Sequence, residues 1–168
     1  MDAQLSELVE GLRGALRAER TGFEFYRLAA ERTEDPAGRA TFLRLAEDEK
    51  AHFEFLSRHY RSLLEKGRLA EETHLAHVPE AAHAIFSPEL KGRLGQAHFE
   101  MSALAIAAQL ELNGLNHYRA LAQRTQLPEA RRFFEELAAW EKEHYDAFLR
   151  QQQELQEAYW AEAGFAPF

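Results

Sequence analysis

The sequence predicts an all-α protein: a four-helix bundle made of two repeated helical hairpins, a long crossover between them and a C-terminal tail. Three observations predict it. Glycine and proline are scarce, at 9 and 5 of 168 residues, while Ala, Leu, Glu, Arg and Gln dominate, a helix-forming composition. Apolar residues recur at helical spacing over roughly 3–33, 37–66, 97–126 and 129–158, with no strand-like alternation. Residues 12–52 also align with 104–144 at an offset of 92, with 17 of the 41 positions identical.

The first helix carries Leu12, Leu16, Glu19, Phe23, Tyr26 and Ala30 at the spacing of one inward stripe. Pro36 stands where the second begins, a position that suits its missing N–H, and Phe42, Leu45, Glu49, His52, Leu56 and Leu63 form its stripe. The short connection between these helices makes them an antiparallel hairpin. Residues 67–96, with Pro79 and Pro88, are long enough to run back along the bundle, so that the second and third helices lie parallel. Leu104, Ala108, Glu111, Leu115, Tyr118 and Ala122 repeat the first stripe; after Pro128, Phe134, Leu137, Glu141, His144 and Phe148 repeat the second. Residues 1–168 therefore read as a single domain, with hairpins at about 12–56 and 104–148 and a crossover at about 67–96.

Composition excludes several functions. A net charge of −8 disfavours nucleic acid as a partner. With no cysteine, disulfides, iron–sulfur clusters and thiol chemistry are out, so any metal must be held by oxygen and imidazole nitrogen. The longest apolar stretch, Ala103 to Ala108, is far too short to span a bilayer, and the N-terminal MDAQLSELVE is amphipathic and acidic. The expectation is a cytoplasmic protein with no membrane partner.

Chemistry enters with three repeat-related pairs: Glu19 and Glu111, Glu49 and Glu141, His52 and His144. Each hairpin offers one Glu from its first helix and a Glu-x-x-His from its second, all on core-facing stripes. Buried carboxylates without partners cost several kcal/mol or take up protons. Two divalent cations would neutralise four carboxylates, with neutral His completing each shell. Two trivalent ions sharing one doubly negative ligand are balanced equally well, so the set suits redox use. Chance gives about one Glu-x-x-His in a chain of this composition, a spacing that puts both side chains on one helix face; this chain has four. The other two, Glu71/His74 and Glu80/His83, lie in the crossover without repeat partners and read as solvated loop residues. A bundle whose buried Glu and His satisfy one another is the alternative to a metal site.

Glu19, Glu49-x-x-His52, Glu111 and Glu141-x-x-His144 resemble the di-metal carboxylate site of the ferritin-like superfamily. GFEFYRLA, FLRLAEDEKAH and FFEELAAWEKEH are similar to phrases of its rubrerythrin-related branch. The resemblance implies a ferritin-like bundle binding two iron ions, with manganese or a mixed pair as the alternative. It implies that Glu49 and Glu141 bridge the ions, that Glu19 and His52 complete one, and that Glu111 and His144 complete the other. Rubrerythrins proper carry a further carboxylate where this chain has Gly114, and a cysteine-bound rubredoxin iron that this chain cannot hold; the remaining set is also similar to the bacterioferritin centre. The expected function is a di-iron oxidoreductase that reduces hydrogen peroxide or dioxygen, drawing electrons from Fe(II) or an external donor protein. An iron-storage or structural subunit and a di-manganese centre that disproportionates peroxide are the alternatives. A homo-oligomer, with a dimer favoured, is expected.

Other residues bear on the site. Tyr26 and Tyr118 lie two turns beyond Glu19 and Glu111, where their hydroxyls either reach ligand carboxylates or pack in the core. Gly22 and Gly114 sit inside helices at a cost of about 1 kcal/mol relative to Ala, compensated by a pocket beside the metals or by close helix contact. His59, His98 and His117 read as ordinary side chains, and Trp140 as core or interface packing. The aromatic tail, Tyr159, Trp160, Phe165 and Phe168, reads as docking onto the bundle or a neighbouring subunit, with a partner-recognition peptide as the alternative.

Overall fold

The structure, a computed structural model, describes residues 3–71, 85–162 and 164. Its helices are α1 (Ala3–Arg32), α2 (Pro36–Lys66), α3 (Pro88–Lys91), α4 (His98–Arg124) and α5 (Pro128–Glu162), with a 3-10 turn at Leu94–Gln96 between α3 and α4. The described residues contain no strand. No described helix is long and apolar enough to cross a membrane. The short helix α3 and its following turn are additions within the expected crossover. His74, Glu80 and His83 lie outside the described residues, and Glu71 is exposed.

The two hairpin turns are built alike because both carry Thr-x-x-Pro-x-x-Arg. The amide of Thr33 donates to Ala29 O at 2.9 Å and that of Thr125 to Leu121 O at 3.0 Å. Arg39 donates to the carbonyl of Thr33 at 3.1 Å and Arg131 to that of Thr125 at 3.2 Å. The Thr33 and Thr125 hydroxyls accept from the amides of Asp35 and Leu127 at 3.2 and 3.3 Å. Proline then opens α2 and α5 at a position whose N–H has no helical partner. At the far end of α2, Gly67 adopts φ 67° and its N–H bonds Leu63 O at 3.1 Å, the left-handed helix end that a Cβ disfavours.

Packing is densest within each pair, α1 with α2 and α4 with α5, and the pairs meet chiefly through α1 and α4. Tyr26 meets Glu111 while Tyr118 meets Glu19, so α1 and α4 run antiparallel. With both hairpins antiparallel, α2 and α4 are parallel, as the long crossover predicts. Two apolar clusters result. One gathers Leu8, Leu12, Leu56, Leu63, Tyr118, Phe133 and Phe134; the other gathers Tyr26, Phe42, Phe86, Leu104, Phe148 and Leu155. Buried carboxylates lie between them.

The end of the crossover is tied down by polar groups the periodicity did not single out. Asp35, fully buried, caps α2 by accepting from Gly38 N at 2.8 Å and also accepts from Ser87 N at 3.0 Å and from the Ser87 hydroxyl. Gln151 on α5 accepts from Ile85 N and Phe86 N at 2.7 and 3.1 Å. Glu100, buried near the start of α4, accepts from the Thr33 hydroxyl at 2.8 Å and from Glu34 N at 3.1 Å.

Two expectations are corrected. Leu16 and Phe23 are only half-buried, whereas Ala15 and Gly22 are buried; where α1 approaches α4, the inner face of α1 takes small residues. The helix that the periodicity ends near 158 continues to Glu162, because no breaker intervenes before Gly164, which has φ 68°. Tyr159 and Trp160 therefore belong to α5 rather than to a separate tail, and Tyr159 is 52% exposed instead of docked on the bundle. Phe165 and Phe168 lie outside the described residues.

Candidate metal centre

All six sequence-predicted ligands converge halfway along the bundle, and each is at most 5% exposed. Their spacing explains the convergence. Glu49 and His52, like Glu141 and His144, are three residues apart on one helix face, while Glu19 and Glu111 project from the neighbouring helices of the same hairpins. Two sets of donor atoms form, with every pair of atoms within 4.8 Å: Glu19, His52 and Glu141 in one, Glu49, Glu111 and His144 in the other. Each set takes a Glu–x–x–His histidine from one hairpin and the Glu–x–x–His glutamate from the other. Either glutamate can thus reach across the centre.

Within each hairpin the imidazole faces its own helical partner. His52 Nδ1 lies 3.2 Å from Glu19 Oε2, and His144 Nδ1 lies 3.4 Å from Glu111 Oε2. The imidazole rings stack at 6.2 Å with planes 24° apart. The tyrosines cross between halves: Tyr26 donates to Glu111 Oε1, and Tyr118 donates to Glu19 Oε1. Burial and the neighbouring carboxylates push both phenols well above their ordinary range, so they stay protonated and keep donating. This decides the choice left open for Tyr26 and Tyr118 in favour of carboxylate contact.

Electrostatics separates the four glutamates. Burial, and then the charges of the other glutamates, push Glu49 and Glu141 well above the usual carboxylate range. Burial also raises Glu19 and Glu111, but their histidines and the tyrosine hydrogen bonds outweigh it and hold them below that range. The central pair is the part of the cluster most in need of positive charge. Oxygen and imidazole donors of this kind suit hard and borderline divalent cations, so the two donor sets could each hold a metal ion.

Residues around the cluster behave in ways that spacing alone did not show. Trp140, which points off the ligand stripe, packs its ring against the ligand-set member His52 at 5.2 Å and 19°, and against Phe55 at 6.1 Å. It is core packing, but packing on the centre itself. The repeat alignment held a signal for this, since Trp140 aligns with Asp48 and breaks the pattern beside a matched Glu. His117 bonds the carbonyl of Gly11 through Nε2 at 3.0 Å and joins α4 to α1. His59 is buried against Phe55 and Phe133, with ring centroids 4.5 Å away in each case, and His98 is exposed at the start of α4. None of these three joins either donor set. A Cβ at Gly22 would stand 2.9 Å from the Glu49 carboxyl group, and one at Gly114 would stand 2.6 Å from Glu141 Oε2. Both glycines exist beside the central carboxylates, and a cavity opens there.

Comparison with known proteins agrees with this geometry. No curated protein matches the chain significantly. A solved structure, a hypothetical protein from Pyrococcus furiosus, is 25% identical and superimposes with a TM-score of 0.53, covering 89% of this chain and 90% of its own. The rubrerythrin family model matches residues 10–152, a span that holds both hairpins and all six buried donors, and the chain therefore belongs to the rubrerythrin family.

Proposed function

We propose that this chain is a di-iron oxidoreductase that reduces hydrogen peroxide or dioxygen, with Fe(II) or an external donor protein supplying the electrons. The observation that carries this is the pair of three-residue donor sets built around four buried carboxylates and two imidazoles. Glu19 and His52 would hold one ion, Glu111 and His144 the other, and Glu49 and Glu141 would be shared between them. When bound, two iron ions supply a pair of one-electron couples next to each other. The protein supplies the remainder. Tyr26 and Tyr118 fix the outer carboxylates in orientation and keep their own protons. The flanking apolar clusters exclude bulk water, which strengthens every charge interaction inside. With no cysteine among these 168 residues, they hold no thiolate-bound iron to deliver electrons to the centre.

The test is metal analysis, followed by mixing protein loaded anaerobically with Fe(II) against hydrogen peroxide or dioxygen. Two ions per chain, and iron oxidation faster than that of free Fe(II), are the expected results. His52→Ala and His144→Ala should each lower the count to about one ion per chain, with the histidine's donor set emptied. A chain that binds two ions yet oxidises Fe(II) no faster than solution iron would leave a structural or manganese centre. Binding of one ion or none would remove the di-metal reading.

A further inference from the structure

Four glycines are buried within helices of this bundle, and a Cβ added to any of them would meet another group closer than 3.0 Å. They divide by what fills the space. Gly11 faces the side chain of Leu121 and Gly38 faces the ring of Phe86, which is ordinary close packing of apolar groups. Gly22 and Gly114 instead face the carboxyl groups of Glu49 and Glu141. Against that face, between α1 and α4, lies a cavity of about 220 Å³ lined by all four glutamates of the centre. Its lining also includes Leu110 and, at exposed positions, Arg17, Thr21 and Asn113. Trp140 and His52, stacked on each other, are not among its lining residues.

This cavity is a small groove open to solvent at its rim. Pockets for organic ligands begin at about 300 Å³, and a water occupies about 30 Å³, so the space suits a molecule of a few atoms with some water. Its inner lining offers carboxylate oxygens and bare helix backbone. An anion would meet four carboxyl groups and no cation there, Arg17 being confined to the rim. We propose that the groove between α1 and α4 is the route by which a small uncharged oxidant, dioxygen or hydrogen peroxide, reaches the carboxylate cluster, and that Gly22 and Gly114 set its width. The proposal rests on the oxidoreductase reading, and it assigns these two glycines a role beyond making room for Glu49 and Glu141.

Zn(II)-loaded protein, which is diamagnetic, separates the two ideas. After the bound Zn(II) has been counted, dissolved dioxygen should enhance the proton relaxation of Gly22 and Gly114 several-fold more than that of Gly11 and Gly38. Two ions bound with uniform relaxation at all four glycines would overturn the route and leave the metal reading standing. A chain that binds no ion would lose the reading and the route with it. In Fe(II)-loaded protein, Thr21→Trp combined with Asn113→Trp should leave two ions per chain while slowing several-fold the visible-absorption change produced by nitric oxide, a small neutral probe, because two indoles would crowd the rim of the groove. An unchanged rate in that variant would place the route elsewhere.

Discussion

The two hairpins are copies at the centre of the molecule and strangers at its ends. Around the buried carboxylates the correspondence is nearly complete: each half contributes one Glu, one Glu-x-x-His, one tyrosine that crosses to the other half, and one glycine beside a central glutamate. The backbone, threonine and arginine hydrogen bonds of the two turns repeat as well. Away from them the halves diverge, because only the first turn meets the crossover. Asp35 of the first turn binds Ser87, whereas Leu127 stands at the equivalent place in the second. Trp140 covers His52, whereas Asp48 occupies the equivalent place in the first hairpin. Symmetry is kept in the donors that two ions would need and lost at the crossover and at Trp140, which packs on only one of the two imidazoles.

The largest expected effect probes the shared part. Phe42 and Phe134 are repeat partners with 0% exposure, and Phe42→Ala or Phe134→Ala should each cost about 3–5 kcal/mol in denaturant unfolding. The difference should appear in hydrogen exchange. Phe42 touches Phe86 at 6.0 Å, so its loss should speed exchange of the amides of Ile85 and Phe86, while loss of Phe134 should not. Equal exchange in both variants would mean that the crossover is held without Phe42.

Next comes the central pair. Replacing Glu49 and Glu141 with Gln removes two buried groups that burial drives toward protonation, and should stabilise the metal-free protein by about 1–4 kcal/mol at neutral pH. In metal-loaded protein the same change should abolish the stabilisation that metal provides. The sign with pH follows from the direction of the shifts. Both groups have folded values above the ordinary 4.5, so their contribution is intact below that value and is lost as pH rises through the folded one. The melting temperature of the metal-free wild type should therefore fall as pH rises above the ordinary carboxylate range, and the double variant should flatten that slope. Glu19 and Glu111, held low, act in the opposite sense and only at the acidic end.

The divergent ends predict smaller, unequal effects. Asp35→Ala should cost about 1–3 kcal/mol, because it leaves the Gly38 and Ser87 donors buried without their acceptor. Leu127→Ala should cost under about 1 kcal/mol at its half-buried position. Comparable losses would show that the two turns are equivalent after all. The most local effect concerns Trp140. Trp140→Leu should weaken one of two successive Co(II) binding steps by about tenfold, the one that uses His52, and leave the other unchanged. Both steps weakening together would mean that Trp140 supports the bundle rather than one imidazole.

Much of this protein is written locally in its sequence. Helix periods, Pro36 and Pro128, and the offset of 92 residues between copies located four long helices and their hairpins. The same periods put Glu19, Glu49, His52, Glu111, Glu141 and His144 on inward faces. A repeat is legible because it compares the chain with itself and needs no knowledge of contacts.

Periodicity says which face of a helix is buried and nothing about which residue waits opposite. Only the tertiary structure could cross Tyr26 to Glu111 and Tyr118 to Glu19, lay Trp140 on His52, or distinguish Gly22 and Gly114, which meet carboxylates, from Gly11 and Gly38, which meet Leu121 and Phe86. Glu100 and the hold of Asp35 on Ser87 stayed unread for the same reason, since those partners lie 52 to 67 residues away. The sequence by itself determined the helices, their pairing into hairpins and the inventory of donors, all of which depend on intervals along one chain. The register between the hairpins, and with it the environment of each donor, was decided by how side chains of two surfaces interlock, which no interval within either surface contains.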